Sequence, residues 1–456
     1  MTAIITDTVK RTFIQQLLDE NEGTKLGDSD NYFYIGVARS QQWDPVANTD
    51  TFTVPSNTER EEKLLRYNLQ SIKSVEAFSL VVPLIDWTSN TVYYNYNDNV
   101  ASQSQSFYVR TSDNNVYVCI RQGKTDAGVA LVSTVKPIQT NSSLPIGADG
   151  YVWKYLYTIS TADANSFLTA NFMPVKLVDS ADATSPNFGQ YTTQNAAING
   201  QITGYRIVNG GSGFASPPTL SVVGNGTGAK AHAIIAANSI VAVEIGDSVG
   251  DTYLNQAMGT NYKEAYVKIT GSGTGAEVVP IFSNDGIGKD PTHDLRSTSI
   301  MFNIKPEGNV QNKWIVNNDY RQVALLKNLK QYDSAAAFTG TQGLALRQMT
   351  LTAPIAGGIT FANDITVTGE SDASAWIDFY DDSSTIWYHQ DEATGFRHFE
   401  NGETITIEGK AGSFTVSTLT QPDVDKYSGD LLFVNNTSSV TRDADQTEDI
   451  KLVIKL

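Results

Sequence analysis

The chain has 456 residues, 40% hydrophobic and 18% charged, and its 49 Asp and Glu against 32 Lys and Arg leave a formal charge of -17. Cationic side chains supply most of the affinity for phosphate backbones, so this balance argues against a nucleic-acid partner. The single cysteine excludes an internal disulfide and a cysteine metal cage, and no apolar run approaches the roughly 20 residues that span a bilayer.

The length suggests roughly three domains. With 35 Gly and 21 Tyr, the composition points to β structure with many turns. The N-terminus lacks the cationic and apolar regions of a signal peptide, which predicts a soluble chain made in a reducing compartment. Cys119, in the run VYVCI, reads as a small buried hydrophobe.

In chain order, TVKRTFIQQLLDE at 8–20 spaces Val9, Phe13, Leu17 and Leu18 as a helix does. NYFYIGVA at 31–38 reads as a buried strand. A second helix is predicted over 57–76, with Ser56 and Glu59 as a capping box and Leu64, Leu65, Leu69 and Ile72 as its apolar stripe. FSLVVPLIDW at 78–87 reads as a strand in which Pro83 marks an edge or a bulge. From residue 88 the texture turns to short alternating runs, SFYVRT and NVYVCIRQ, typical of a small antiparallel unit.

DGYVWKYLYTI at 149–159 is a turn followed by a strand whose odd positions are Tyr151, Trp153, Tyr155 and Tyr157. Strand side chains alternate, so four rings are expected on one face. Such a row packs a core, stacks on a flat ligand such as a sugar, or meets another chain.

Further on, GNGTGAKAHAII at 224–235 repeats imperfectly as GSGTGAEVVPIF at 271–282, each copy following a strand-like run, TLSVV or AYVKI. The glycines superficially suggest a phosphate loop. That chemistry needs a helix after them, whereas both copies continue as strands, so tight β-turns are the expectation. ITVTGE, AWIDFYDD, IWYH, ETITIEG and SFTVSTL are candidate strands in 331–422, and the chain ends in DLLFVNN and DIKLVIKL.

Chemical constellations are sparse. His389 and His398, near Asp391, Glu392 and Glu400, match no strong metal spacing and read as structural; His232 and His293 are isolated. Asp381 with Asp382, and Asp423 with Asp425, are carboxylate pairs of the kind an acidic chain contains by chance. No cofactor or metal is implied, and the chain is not expected to be an enzyme.

Several segments resemble one family, the baseplate wedge protein of T-even-type contractile-tailed phages, gene product eight. They are FYIGVARSQQW at 33–43, PLIDW at 83–87, DGYVWKYLYTI at 149–159, NDYRQVALLKN at 318–328, SGDLLFVNN at 428–436 and DQTEDIKLVIKL at 445–456. The resemblance covers roughly half of the chain and runs in one order from end to end. It implies a non-enzymatic virion structural protein, a homodimer within the wedge of the tail baseplate. Assembly would occur in the host cytoplasm, with other wedge subunits and tail-fibre connectors as partners.

The implied fold is α+β and β-rich multidomain. A discontinuous α/β domain (1–87, 284–330 and 423–456) carries an inserted β-sandwich at 88–196, with helices confined to the N-terminal region. The glycine-rich repeat at 197–283 and the block at 331–422 depart from the family pattern and read as further β insertions, sandwich or small barrel. Arg39, Trp43, Asp86, Trp87, Tyr151, Trp153, Tyr155 and Tyr157 fall in the shared motifs and are expected to anchor the fold or an interface. A reading from a different class is a glycan-binding or adhesion module at the tail tip, which predicts solvent-exposed Trp376, Trp387 and Tyr388.

Overall fold

A computed structural model describes residues 5–21, 32–43, 51–99, 105–247, 257–283, 285–306, 313–359, 364–443 and 447–456. Strands take up 43% of the residues and helices 10%, in several antiparallel sheets and one closed six-stranded barrel, which makes the fold β-rich, multidomain and α+β. The chain divides into two compact units, one holding Ser79–Ile300 with both chain termini, the other Thr12–Phe78 and Met301–Ile454.

Within the second unit, the run FYIGVA forms the strand Phe33–Ala38, buried along its whole length. It lies at the centre of an antiparallel sheet in the order Gln342–Leu344, Leu69–Ser74, Phe33–Ala38, Asp319–Lys327, Asp430–Thr441. Tyr34, Leu65, Leu69, Ile72, Leu326 and Phe338 pack together against it, and the Tyr34 hydroxyl donates to the Phe338 carbonyl at 2.6 Å. Gly36 permits this closeness, since a Cβ there would lie 2.8 Å from Leu69 Cδ1 and 3.0 Å from Leu326 Cδ1.

The predicted helix over 57–76 is shorter. It runs Glu59–Asn68 and passes directly into the strand Leu69–Ser74. Its N-cap is Thr58 rather than Ser56, with Thr58 Oγ1 accepting from the Glu61 amide at 3.3 Å. The Thr58–Glu61 spacing repeats the capping pattern two residues downstream of Ser56–Glu59. Leu69 and Ile72 fit a helical stripe, but pairing with strands on both sides outweighs local propensity there. In the first helix, Asp7–Asn21, Ile14 is fully buried while Val9 and Phe13 are exposed. The side chains of Leu17 and Leu18 lie outside the described residues.

The barrel of this unit follows the order Arg347–Leu351, Thr385–His389, Ser374–Tyr380, Thr366–Gly369, Thr404–Ile407, Phe414–Thr420, and closes back onto Arg347–Leu351. Alternate residues fill it: Met349 and Leu351, Ala375 and Ile377, Ile386 and Tyr388, Ile405 and Ile407.

The first unit contains the antiparallel sheet Tyr108–Arg110, Asn115–Arg121, Val152–Thr158. Pro83 ends the strand Ala77–Pro83, opposite Phe172, where a missing N–H is tolerated. Helices are not confined to the N-terminal region. Thr161–Phe167 starts on Ser160, whose Oγ accepts from the Asp163 amide at 3.0 Å, and Phe188–Asn195 follows. Both are too short to carry a readable helical period.

The glycine repeat is larger than its glycine strings. Its two strands, Thr219–Gly224 and Ala265–Thr270, pair antiparallel with each other, Thr219 opposite Thr270 and Gly224 opposite Ala265. Each is preceded by an aromatic motif, Gly211-Ser212-Gly213-Phe214 or Gly259-Thr260-Asn261-Tyr262, with positive φ at the first and third positions. The aromatic rings cross over: Phe214 covers Gly273 of the second glycine string, and Tyr262 covers Gly226 of the first. The ladders match too, Thr274 opposite Ser212 in one and Thr227 opposite Thr260 in the other. Strands follow both strings, as the turn reading requires.

A Cβ on Gly273 would sit 2.6 Å from three atoms of the Phe214 ring, and one on Gly226 would land on the Tyr262 ring. Gly226→Ala and Gly273→Ala are each expected to destabilise by about 1–3 kcal/mol, as overpacking does. Gly204→Ala, with its nearest neighbour at 3.5 Å, should be near neutral. Thermal melting checks this; a Gly226→Ala chain that melts with the wild type contradicts the crossed packing.

Candidate functional site

The 149–159 motif is set by its first residue. Asp149 Oδ2 accepts from the Thr134 and Val135 amides at 2.7 and 2.9 Å, and Oδ1 from the Tyr151 amide at 3.2 Å, while Gly150 takes φ +79°. None of Tyr151, Trp153, Tyr155 and Tyr157 is more than 3% exposed. Tyr151 stacks on Trp153 with centroids 5.9 Å apart, Tyr93 meets Trp153 edge-on at 5.4 Å, and Tyr117 meets Tyr155 at 5.8 Å. Cys119 lies in the same cluster, and burial pushes its thiol up.

Three of the four rings share this cluster. A bulge places Tyr155 and Tyr157 opposite the consecutive residues Tyr117 and Val116, which breaks strict alternation. Tyr157 leaves the cluster, and its hydroxyl donates to the Pro174 carbonyl at 2.8 Å. Of the readings for the row, core packing is the one the structure shows; no ring face is left for a sugar.

The other motif residues form two local sets. Arg110 clamps Asp86 with both arms, Nε to Oδ1 at 2.7 Å and an NH2 to Oδ2 at 3.0 Å, and Trp87 Nε1 donates to Ser133 Oγ at 3.2 Å. In the second unit, the Arg39 guanidinium lies 4.4 Å over the Trp43 ring, and Trp43 Nε1 donates to the Thr437 carbonyl at 2.9 Å. Arg39 holds φ +62°, a strained value for a non-glycine residue. Burial lowers its pKa, and the neighbouring Arg321 adds to the effect.

The glycan reading placed Trp376, Trp387 and Tyr388 in solvent. Trp387 and Tyr388 are buried, Tyr388 inside the barrel and Trp387 against Phe379, while Trp376 is half-buried. Period-2 alternation in short aromatic strands does not tell which side faces out. The nominated carboxylates make local structure. Asp381 Oδ1 accepts from the Ser383, Ser384 and Thr385 amides, each at 2.9 Å. Burial opposes the charge, yet these amides hold Asp381 below its usual range. Asp423 accepts from the Leu344 amide at 2.8 Å and pairs with Lys313.

His389 and His398 do meet, as lining residues of one cavity of about 420 Å³ in the second unit. Each ring is already engaged. His389 Nδ1 lies 2.6 Å from Asp378 Oδ2, whose Oδ1 accepts from Ser40 Oγ at 2.7 Å; His398 Nδ1 contacts Arg347. Among the described residues, no group of three or more His, Cys, Asp or Glu is placed to hold a metal ion.

What sequence reasoning missed in this cavity is an aromatic and cationic lining. Tyr67, Phe396 and Tyr427 form a ring cluster, with Tyr67 4.9 Å from Phe396 and 6.1 Å from Tyr427. Phe396 and Tyr427 remain 47% and 56% exposed. Buried Arg66 fixes the turn beneath, donating to the Lys426, Ser428 and Gly429 carbonyls at 2.8, 2.7 and 2.9 Å. Lys426 Nζ donates to the Tyr67 carbonyl at 2.7 Å and lies 5.8 Å over the Tyr427 ring. Positions 67, 347, 396 and 427 share no sequence period; the one local hint is an aromatic residue inside the polar turn DKYSGD.

Burial lowers the Lys426 pKa to about 8; Asp378 and Asp391 oppose this, while Arg347 reinforces it. The Arg347 charge, with some burial, also holds His398 below the usual imidazole value. The arrangement offers cationic donors beside aromatic faces, which is the chemistry of binding an anion that has an apolar body.

With its folded pKa at about 8 and an unfolded value of about 10.4, Lys426 leaves the unfolded state holding more protons between those limits. The stability cost of its charge is therefore complete below pH 8 and disappears as pH rises through 10.4. The melting temperature of Lys426→Met minus that of the wild type should fall across this window. A difference that stays constant with pH contradicts the assignment.

Against known proteins, the chain matches no family model and no curated protein.

Proposed function

We propose that the chain is a structural subunit of a contractile-tail phage baseplate wedge, acting through protein–protein interfaces in tail assembly and baseplate rearrangement. One observation carries this reading. Three segments of the resemblance that lie far apart in sequence, 33–43, 318–328 and 428–436, supply neighbouring strands of one sheet. Phe33 pairs with Lys327, Leu325 with Phe433, and Trp43 of the first segment bonds to Thr437, just past the third. Motifs that a shared ancestry would keep in order are the ones that must fit together in space.

An interface role also needs apolar surface that the chain does not cover itself. In the first unit, Val129, Leu131, Val132, Val135 and Ile138 are all exposed within ten positions, Val129 by 62% and Ile138 by 73%. A monomer rarely leaves such a run in water, and a second copy or a neighbouring wedge subunit would bury it. In the assembled ring, rearrangement of contacts of this kind would transmit the contraction signal.

Co-expression with neighbouring wedge subunits, followed by light scattering, tests the proposal. The wild type is expected to dimerise or join a wedge complex, and Val129→Asp with Ile138→Asp to lose that association without a lower melting temperature. A wild-type chain that stays monomeric and enters no complex overturns it.

A further inference from the structure

We propose that the cavity lined by Arg347, Lys426, Tyr67, Phe396 and Tyr427 binds a small carboxylate carried on a ring, an acidic sugar or an aromatic acid. At about 420 Å³ it falls in the range of small-molecule sites. Two cations, Arg347 and Lys426, line it against one carboxylate, Asp425. Among the described residues neither forms an ion pair with a carboxylate. Arg347 is engaged by His398 and by Tyr388, and Lys426 by a main-chain carbonyl. The direct acceptors of both groups are neutral, and Asp391, which acts on Lys426 only through space, is held by the Ala393 and Thr394 amides, so an incoming carboxylate would supply a directly bonded anionic partner.

The carboxylates nearby are committed elsewhere. Asp425 also lines the cavity, but its Oδ1 accepts from the Tyr427 amide at 3.0 Å and shapes the turn. Asp378 is fully covered and held between Ser40 and His389. The body of the ligand is indicated by the ring cluster. Phe396 and Tyr427 stay about half exposed although both touch Tyr67, so their outer faces are free to stack on a flat ring. The Arg66 clamp on the 426–429 turn holds these groups before any ligand arrives, which reduces the ordering cost of binding.

Titration calorimetry on the full chain with glucuronate, 4-hydroxybenzoate, glucose and acetate tests the inference. At least one ring carboxylate should bind, and which of the two binds more tightly identifies the ring. Glucose, which lacks the charge, and acetate, which lacks the ring, should each bind at least about tenfold more weakly, as expected when one charge-assisted or stacking contact is lost. Arg347→Gln and Tyr427→Ala should each weaken the ring carboxylate by a similar factor while leaving the melting temperature unchanged. The proposal is overturned if acetate or glucose binds as well as the ring carboxylates, if neither ring carboxylate binds, or if both variants bind like the wild type.

Discussion

The strand Phe33–Ala38 imposes the main constraint on the second unit. It is buried at every residue, so each of its backbone N–H and C=O groups must find a partner inside the protein. Those partners are Leu69–Ser74 on one side and Asp319–Lys327 on the other. Burying a large apolar side chain such as Tyr34 or Ile35 contributes roughly 1.5–3 kcal/mol, and this is realised only once the distant strand has returned. The closure is non-local, which favours slow folding. It also explains why Gly36 has no side chain, since Leu69 and Leu326 meet across that position.

A different solution operates in the glycine repeat. There the close contacts are made by two copies of one pattern, each lending its aromatic ring to the glycine string of the other. The reciprocal packing of Phe214 on Gly273 and Tyr262 on Gly226 makes the pair of copies interdependent, which gives a physical reason for the repeat to occur twice. The glycines serve contact and turn geometry, with positive φ at Gly228 and Gly275, and a strand follows each string where a phosphate site would need a helix.

Much of this was legible where a period of two coincides with turn residues. The strands at 115–121 and 152–158, and five strands of the barrel, follow from that pattern, while 33–38 follows from its continuous apolar run. The failures of the pattern have identifiable physical causes. Residues 69–74 carry a stripe compatible with a helix, and only their two strand partners decide otherwise. The barrel strand Arg347–Leu351 is short and mixed in polarity, and is defined by neighbours that arrive later in the chain. The bulge beside Tyr157 shifts one ring out of a row that alternation alone keeps intact. The lining of the candidate cavity was the least legible, because its residues come from a helix end, a strand end and two turns.

These parts give a consistent physical picture. The aromatic row is spent on the interior of the first unit, apolar side chains at 129–138 remain outside, and the segments 33–43, 318–328 and 428–436 converge on one sheet. Hydrogen exchange resolved by segment tests that convergence most directly. If the remote segments form one cooperative core, the amides of Phe33–Ala38, Leu69–Ser74 and Asp319–Lys327 share the slowest exchange and become labile together in denaturant. Exchange of Asp319–Lys327 at the rate of a free loop, with Phe33–Ala38 still protected, would contradict the account.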